Sequence, residues 1–197
     1  RLRNVQGIVI PGSSHYSSVD GLTTAVEHAR LHGIPLLGIN AGMHSIIIEF
    51  ARHIAGLEGA DSTEFQPSTA HPVVDRAAEV DSSGIQRGTF PCRMVPGTRA
   101  AAAYKDSLSY ERHRHSYEMN GHYRTQLRNA GLILSALSAD EEAVAMIELQ
   151  DHDWMIGCQF HPEFRSRPDH PHPLFVSFIR AADAVMLEGT QSTLPID

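Results

Sequence analysis

Gly38-Ile39-Asn40-Ala41-Gly42-Met43 lies where a buried apolar run, residues 34–39, should pass into a helix over residues 41–55. Small residues on both sides of position 40 let a strand and a helix approach closely, and the side chain between them projects from a tight, strained corner. Such a corner belongs to an open α/β sheet, at the carboxyl end of a strand, where these folds hold their ligands. The corner residue is normally a Ser or Cys activated by a nearby base. Here it is Asn40, a neutral carboxamide with no usable acid–base chemistry.

Outward from the corner, residues 7–10 read as a short buried strand ending at Pro11-Gly12. Asp20 is expected to cap a helix that runs to His32 and stops at Gly33, and Gly56 ends the helix after the corner. Residues 57–86, rich in Gly, Asp, Ser, Pro and Thr, read as a long excursion, and a strand returns over residues 88–95. Asn120 should cap a helix to Ala130, closed by Gly131. Further strands are expected over residues 132–138, 143–149 and 154–160. Pro173 suits the first turn of a last helix, in which Leu174, Phe175, Phe178, Ile179, Ala182, Val185 and Met186 keep helical spacing. The polar tail, residues 189–197, reads as loose. Apolar strands alternating with helices predict a mostly parallel sheet covered on both faces.

The chain has 197 residues, enough for one domain with a full core, and 42% hydrophobic residues, an ordinary globular value. Its net charge of −7 argues against a nucleic-acid surface. No apolar run reaches membrane length and no signal-peptide pattern is seen, so a cytoplasmic location is the default expectation. The two cysteines, Cys92 and Cys158, are far apart and suggest neither a disulfide framework nor a metal site. Both read as packed core thiols. Cys158 precedes His161 by three residues on one extended segment, so its side chain should point away from the His161 face.

A set of motifs then follows in order along nearly the whole chain. They are Gly7-Ile8-Val9-Ile10-Pro11-Gly12, Gly33-Ile34-Pro35-Leu36-Leu37-Gly38-Ile39 with Gly42-Met43, and Ile48-Glu49-Phe50-Ala51-Arg52. Next come Ser62-Thr63-Glu64-Phe65, and Arg112-His113-Arg114-His115 with Tyr117-Glu118. The last is Gln159-Phe160-His161-Pro162-Glu163-Phe164, continuing through Ser166-Arg167-Pro168 to His172-Pro173-Leu174-Phe175. Together they resemble the class I, triad-type glutamine amidotransferase domain of the CTP synthase family. The resemblance implies a flavodoxin-like three-layer α/β sandwich with helices on both faces of the sheet. Family domains carry two more strand–helix units before the Gly7 strand, which implies sequence upstream of Arg1.

In that family a Cys thiolate attacks the side-chain amide of glutamine, ammonia leaves, and water releases glutamate; a His moves the protons and a Glu holds its tautomer. The resemblance assigns the last two roles to His161 and Glu163 and puts Asn40 where the Cys belongs. It also maps substrate contacts onto Gly12, Ser13, Ala41, His44, Glu64 and Ser116. Several of these depart from the pattern. His44 stands for a Gln that helps hold the substrate, Ser116 for an Arg that helps recognise the amino acid, and Ser13 for a Gly whose amide lines the oxyanion hole. Glu64 is kept, facing a substrate ammonium.

The first reading is therefore a pseudoenzyme in pyrimidine metabolism that binds a small amino-acid-like ligand or a partner protein. A synthetase-type partner and a homo-oligomer are both open; no nucleic acid, membrane or cofactor is implied. The alternative is a hydrolase of different chemistry using His161 and Glu163, either alone or with a metal held by His15, His44 and His161. A third reading, glutamine hydrolysis by Ser13, Ser14 or Ser45, suffers because none of them occupies the corner.

Overall fold

The computed structural model describes residue 2, residues 5–13 and residues 18–191. In chain order its elements are β1 (Ile8–Ile10), α1 (Asp20–His32), β2 (Leu36–Ile39), α2 (Ala41–His53), β3 (Asp61–Ser62), β4 (Pro72–Arg76), β5 (Gln86–Met94) and α3 (Arg99–Tyr104). There follow β6 (Leu108–His115), β7 (Tyr117–Met119), α4 (Arg124–Asn129), β8 (Leu132–Ser138), β9 (Val144–Leu149), β10 (Met155–Cys158) and α5 (Pro173–Gln191). Seven strands form one sheet in the order β1-β2-β10-β9-β8-β5-β6. β2 pairs in parallel with β1 and β10, and every pairing from β10 outward to β6 is antiparallel. The α/β fold is thus present, but the sheet is mixed and not mostly parallel: the two parallel pairings lie where the corner is, and the four pairings from β10 outward are antiparallel, those of β8 with β9 and β9 with β10 through short connections without a crossover helix.

Burial follows from that position. Every residue of β2, β9 and β10 is buried, as strands covered on both faces must be. One apolar cluster packs Val26, Ala29, Met43, Ile46, Ile47 and Leu127 against one face. The other gathers Leu37, Ile39, Ile156, Phe160, Leu174 and Phe178. Glu49, fully buried in α2, is gripped by Arg30 of α1, with Nη2 donating to Oε1 at 2.6 Å and Nε at 3.0 Å. A buried carboxylate held this way fixes one helix on the other, and losing its partner leaves a costly bare charge.

The excursion over residues 57–86 holds more order than its composition suggests. β3 and β4 lie in it and join β7 in a second sheet of three strands, order β3-β4-β7. α3 and β6 fall in stretches that the apolar pattern does not mark. Asp20 is not the cap of α1: Val19 occupies that place, Ser18 Oγ accepts from the Asp20 amide at 3.1 Å, and Asp20 sits in the first turn, where the helix dipole favours a carboxylate. Asn120 does cap, its side chain accepting from the His122 amide at 3.1 Å, but through a short 3₁₀ turn that leads into α4. α5 continues through Gly189 to Gln191; residues 192–197 of the expected loose tail lie outside the described residues.

Two glycines make the corner possible. A Cβ on Gly38 would come within 2.6 Å of the Gly42 carbonyl group, and one on Gly42 would strike the Ile10 carbonyl oxygen. Strand and helix therefore touch backbone to backbone. Gly42→Ala should cost about 2–3 kcal/mol in urea unfolding, because β1 or α2 must shift to admit the methyl group. Gly21→Ala, in α1 with nothing within 4 Å of the added carbon, should be neutral or slightly stabilising. Equal effects of the two substitutions would contradict this packing.

Candidate active site

Asn40 stands between β2 and α2 with φ 52° and ψ −108°. This is a region that side-chain-bearing residues avoid, at a cost of order 1–3 kcal/mol. Asn tolerates positive φ better than most residues. The corner is tied from both sides: the Asn40 amide donates to Cys158 O of β10 at 2.7 Å, and the His44 amide donates to Asn40 O at 3.0 Å to begin α2. The Asn40 side chain points at β6 and the segment after β10. Its Nδ2 donates to Arg114 O at 3.2 Å and lies 3.5 Å from Gln159 O and 3.4 Å from His161 Nε2. Three acceptors around one nitrogen fix which end of the amide is the NH2.

His161 is placed by its own backbone, whose N–H donates to Arg112 O of β6 at 2.8 Å. Its Nδ1 meets Glu163 Oε1 at 2.6 Å, and its ring stacks on Phe164 with centroids 4.8 Å apart. The contact is made across a short 3₁₀ turn, Pro162–Phe164. With Nδ1–H donated to Glu163, Nε2 carries the lone pair and faces Asn40. A hydroxyl or thiol at that place would lose its proton to Nε2. An amide N–H only donates a hydrogen bond. A Cβ on Gly12 would lie 2.8 Å from His161 Cε1, so Gly12 keeps this ring in place.

Asn40 and His161 open into a cleft of about 630 Å³ lined by Gly12, Ser13, His44, Glu64, Ser116 and Glu163 among others. Of the residues mapped from the family, Ala41 alone is not on its wall; it is 5% exposed and packed in the core. Glu64 borders solvent, yet partial burial raises its pKa, with Arg76 pulling the other way. His44 is buried under the cleft floor, with Nε2 at 3.0 Å from Gln159 Oε1, and Gln159 Nε2 donates to Tyr117 O at 3.2 Å. The metal-binding alternative gains no support from the described residues. His15 lies outside the described residues, His44 faces Gln159, and among the described residues no group of three His, Cys, Asp or Glu side chains is disposed to hold an ion. Ser14 also lies outside the described residues, and Ser45 is buried with its hydroxyl donated to Ala41 O at 2.7 Å.

β6 is the part of the site that sequence reasoning did not place. Its Arg-His-Arg-His run alternates exposed and buried residues, a period of two that marks a strand. The strand brings the Arg114 carbonyl to Asn40 and buries His113 and His115, joined at 3.1 Å. Burial lowers His44 and His113 to about 4 and His115 to about 3; for His115 the charges of neighbouring histidines add to the effect. The thiols are no better placed as acids. Burial pushes Cys92 up to about 12 and raises Cys158; both lie in the cluster that holds Phe160, and Cys158 Sγ is 3.5 Å from Phe160 O.

Two measurements follow. These three histidines are neutral when folded, while the unfolded chain takes up protons near 6.5, so stability is full above about pH 6.5 and falls toward about pH 4. Thermal melts should drop through that window, by up to about 1.4 kcal/mol per pH unit for each group, and His44→Gln should make the decline shallower. A flat profile would contradict their burial as neutral rings. Separately, Cys92 and Cys158 should resist iodoacetamide at pH 8 in the folded chain and react after unfolding; rapid labelling of either one in the native state would refute the core assignment.

The glutamine amidotransferase class-I family model matches residues 1–181. The CTP synthase of Thermomicrobium roseum is 50% identical over 199 residues, covering 99% of this chain and 36% of that protein. The CTP synthase of Moorella thermoacetica is 51% identical over 187 residues, covering 92% of this chain and 35% of that protein. The chain thus spans about a third of the length of these curated relatives. Among solved structures, the glutaminase domain of Trypanosoma brucei CTPS with bound acivicin superposes with a TM-score of 0.86 at 34% identity, over 92% of this chain and 72% of that one. A putative GMP synthase protein from Thermoplasma acidophilum, at 18% identity and a TM-score of 0.65, shares the fold over 96% of this chain and 78% of that one. The chain belongs to the class-I glutamine amidotransferase family and is similar throughout to the glutaminase domain of CTP synthases.

Proposed function

We propose that this chain is a CTP synthase-like amidotransferase domain that does not hydrolyse glutamine and whose cleft holds an amino-acid-like ligand. One observation carries the reading: the carboxamide of Asn40 sits 3.4 Å from His161 Nε2, where a nucleophile would surrender its proton. The base and its orienting carboxylate are kept, but the group they face cannot form a bond to carbon. Ser116 and His44 support the same reading, since both depart from the family's substrate contacts. The matched relatives extend well beyond the aligned region, and we take a synthetase-type protein as the partner class. We place the chain in pyrimidine metabolism, in the cytoplasm, on that similarity and on two buried free cysteines.

The 2.6 Å His161–Glu163 contact favours one second reading, a hydrolase in which this pair activates water. The Asn40 amide weighs against it by occupying the Nε2 side of the ring.

Glutamate release from L-glutamine tests the proposal. The wild-type chain should stay at buffer background. Asn40→Cys should rise above it by about tenfold or more, since an elbow nucleophile accounts for orders of magnitude in rate. Wild-type turnover above background, abolished by His161→Ala, would overturn the non-catalytic reading.

A further inference from the structure

Glu64 lines the cleft, and Arg76, of opposite charge, packs behind Tyr117 of its wall without pairing with Glu64. Glu64 lies just past β3, where its amide donates to Ser62 Oγ at 3.1 Å, and it lines the cleft. Arg76 ends β4, directly opposite Tyr117 of β7 in the antiparallel register. Its guanidinium carbon lies 5.1 Å from the centroid of the Tyr117 ring. Its Nη1 reaches Gly84, 3.9 Å from where a Cβ would stand. Tyr117 and Ile85, the neighbours of these contacts, both line the cleft. Glu64 and Arg76 are close enough for the charge of one to influence the other. Yet neither belongs to an ion pair within 4.0 Å among the described residues.

This arrangement has a chemical meaning. A guanidinium stacked on an aromatic face keeps its N–H edge free, and that edge matches a carboxylate with two parallel hydrogen bonds. A carboxylate left bare a short way off matches an ammonium. An α-amino acid carries both groups on one carbon. Arg114, the arginine that lines the cleft itself, contributes its carbonyl oxygen to Asn40. The alternation of β6 sets Arg114 on the exposed side, opposite to His113 and His115. Ser116 offers only a hydroxyl.

We propose that Arg76 is the specificity residue of the cleft, receiving the α-carboxylate of a zwitterionic amino acid whose ammonium is taken by Glu64. This rests on the amino-acid-like ligand proposed above and names the group that selects it.

Calorimetric titration of the full chain with two probes tests the assignment. The probes are L-glutamine and 4-aminobutanamide, which is glutamine without its α-carboxylate. Arg76→Ala should weaken L-glutamine by about tenfold or more and leave 4-aminobutanamide within about twofold. Arg76→Lys, which keeps the charge and loses the fork, should fall between. The melting temperature of each variant is checked against wild type, so that a folding defect is not read as a binding loss. Unchanged L-glutamine affinity in Arg76→Ala, or an equal loss for both probes, overturns the role of Arg76 and leaves the ligand class standing. A wild-type chain that binds neither probe overturns the ligand class and the role of Arg76 with it.

Discussion

The structure turns on the contact between the backbone of α2 and the ends of β1 and β2. Gly38 and Gly42 meet with no side chain between them, and Gly42 lies against the Ile10 carbonyl oxygen. That approach forces residue 40 into a conformation with φ 52° and ψ −108° and aims its side chain out of the sheet. Closely packed cores do not relax around such a point, so the corner is over-determined by its neighbours. The shape therefore does not depend on what residue 40 does chemically, only on its tolerance of positive φ. Asn meets that condition.

Around the corner, the electrostatics suit a hydrogen-bond donor. Two carbonyl oxygens, from Arg114 and Gln159, and the Nε2 lone pair of His161 all face the Asn40 NH2. Behind them, His44, His113 and His115 are kept neutral by burial. His161 and Glu163 retain the geometry of a base and its orienting acid. At the corner itself, facing His161 Nε2, stands an amide and not a group that gives up a proton and then attacks carbon. The two thiols lie in the core, where low polarity holds them protonated. On the proposed reading recognition and catalysis are separable: Glu64 lines the cleft, while the corner facing His161 offers only an amide.

Much of this was legible in the sequence, and the reasons differ from residue to residue. Apolar runs at residues 34–39 and 143–149 announce strands because both of their faces are buried. The corner is readable because only small residues fit beside it. β6 escaped because its strand alternates Arg with His and not polar with apolar, so hydropathy does not register it. β3 and β4 escaped because they are short and sit among turn-forming residues. The cap of α1 differs because the helix begins one residue earlier than the Asp20 signal suggests: the Leu22 and Thr23 amides donate to Val19 O, and Asp20 falls inside the first turn. Ala41, mapped onto the cleft by its position in a motif, is buried in the first turn of α2 and does not line the cleft. Arg76 is invisible to motif reading altogether. It becomes notable only when β4 and β7 pair and set it over Tyr117.

The central claim is that bond-making at the corner cannot begin from an amide. Acid-quenched intact-mass spectrometry after incubation with L-glutamine addresses it most directly, with Asn40→Cys as the chain able to form a glutamyl thioester. The account predicts that the wild-type chain keeps its unmodified mass at every time point while the variant shows a fraction carrying one glutamyl group. A glutamyl adduct on the wild-type chain, at any residue of the cleft, would contradict it.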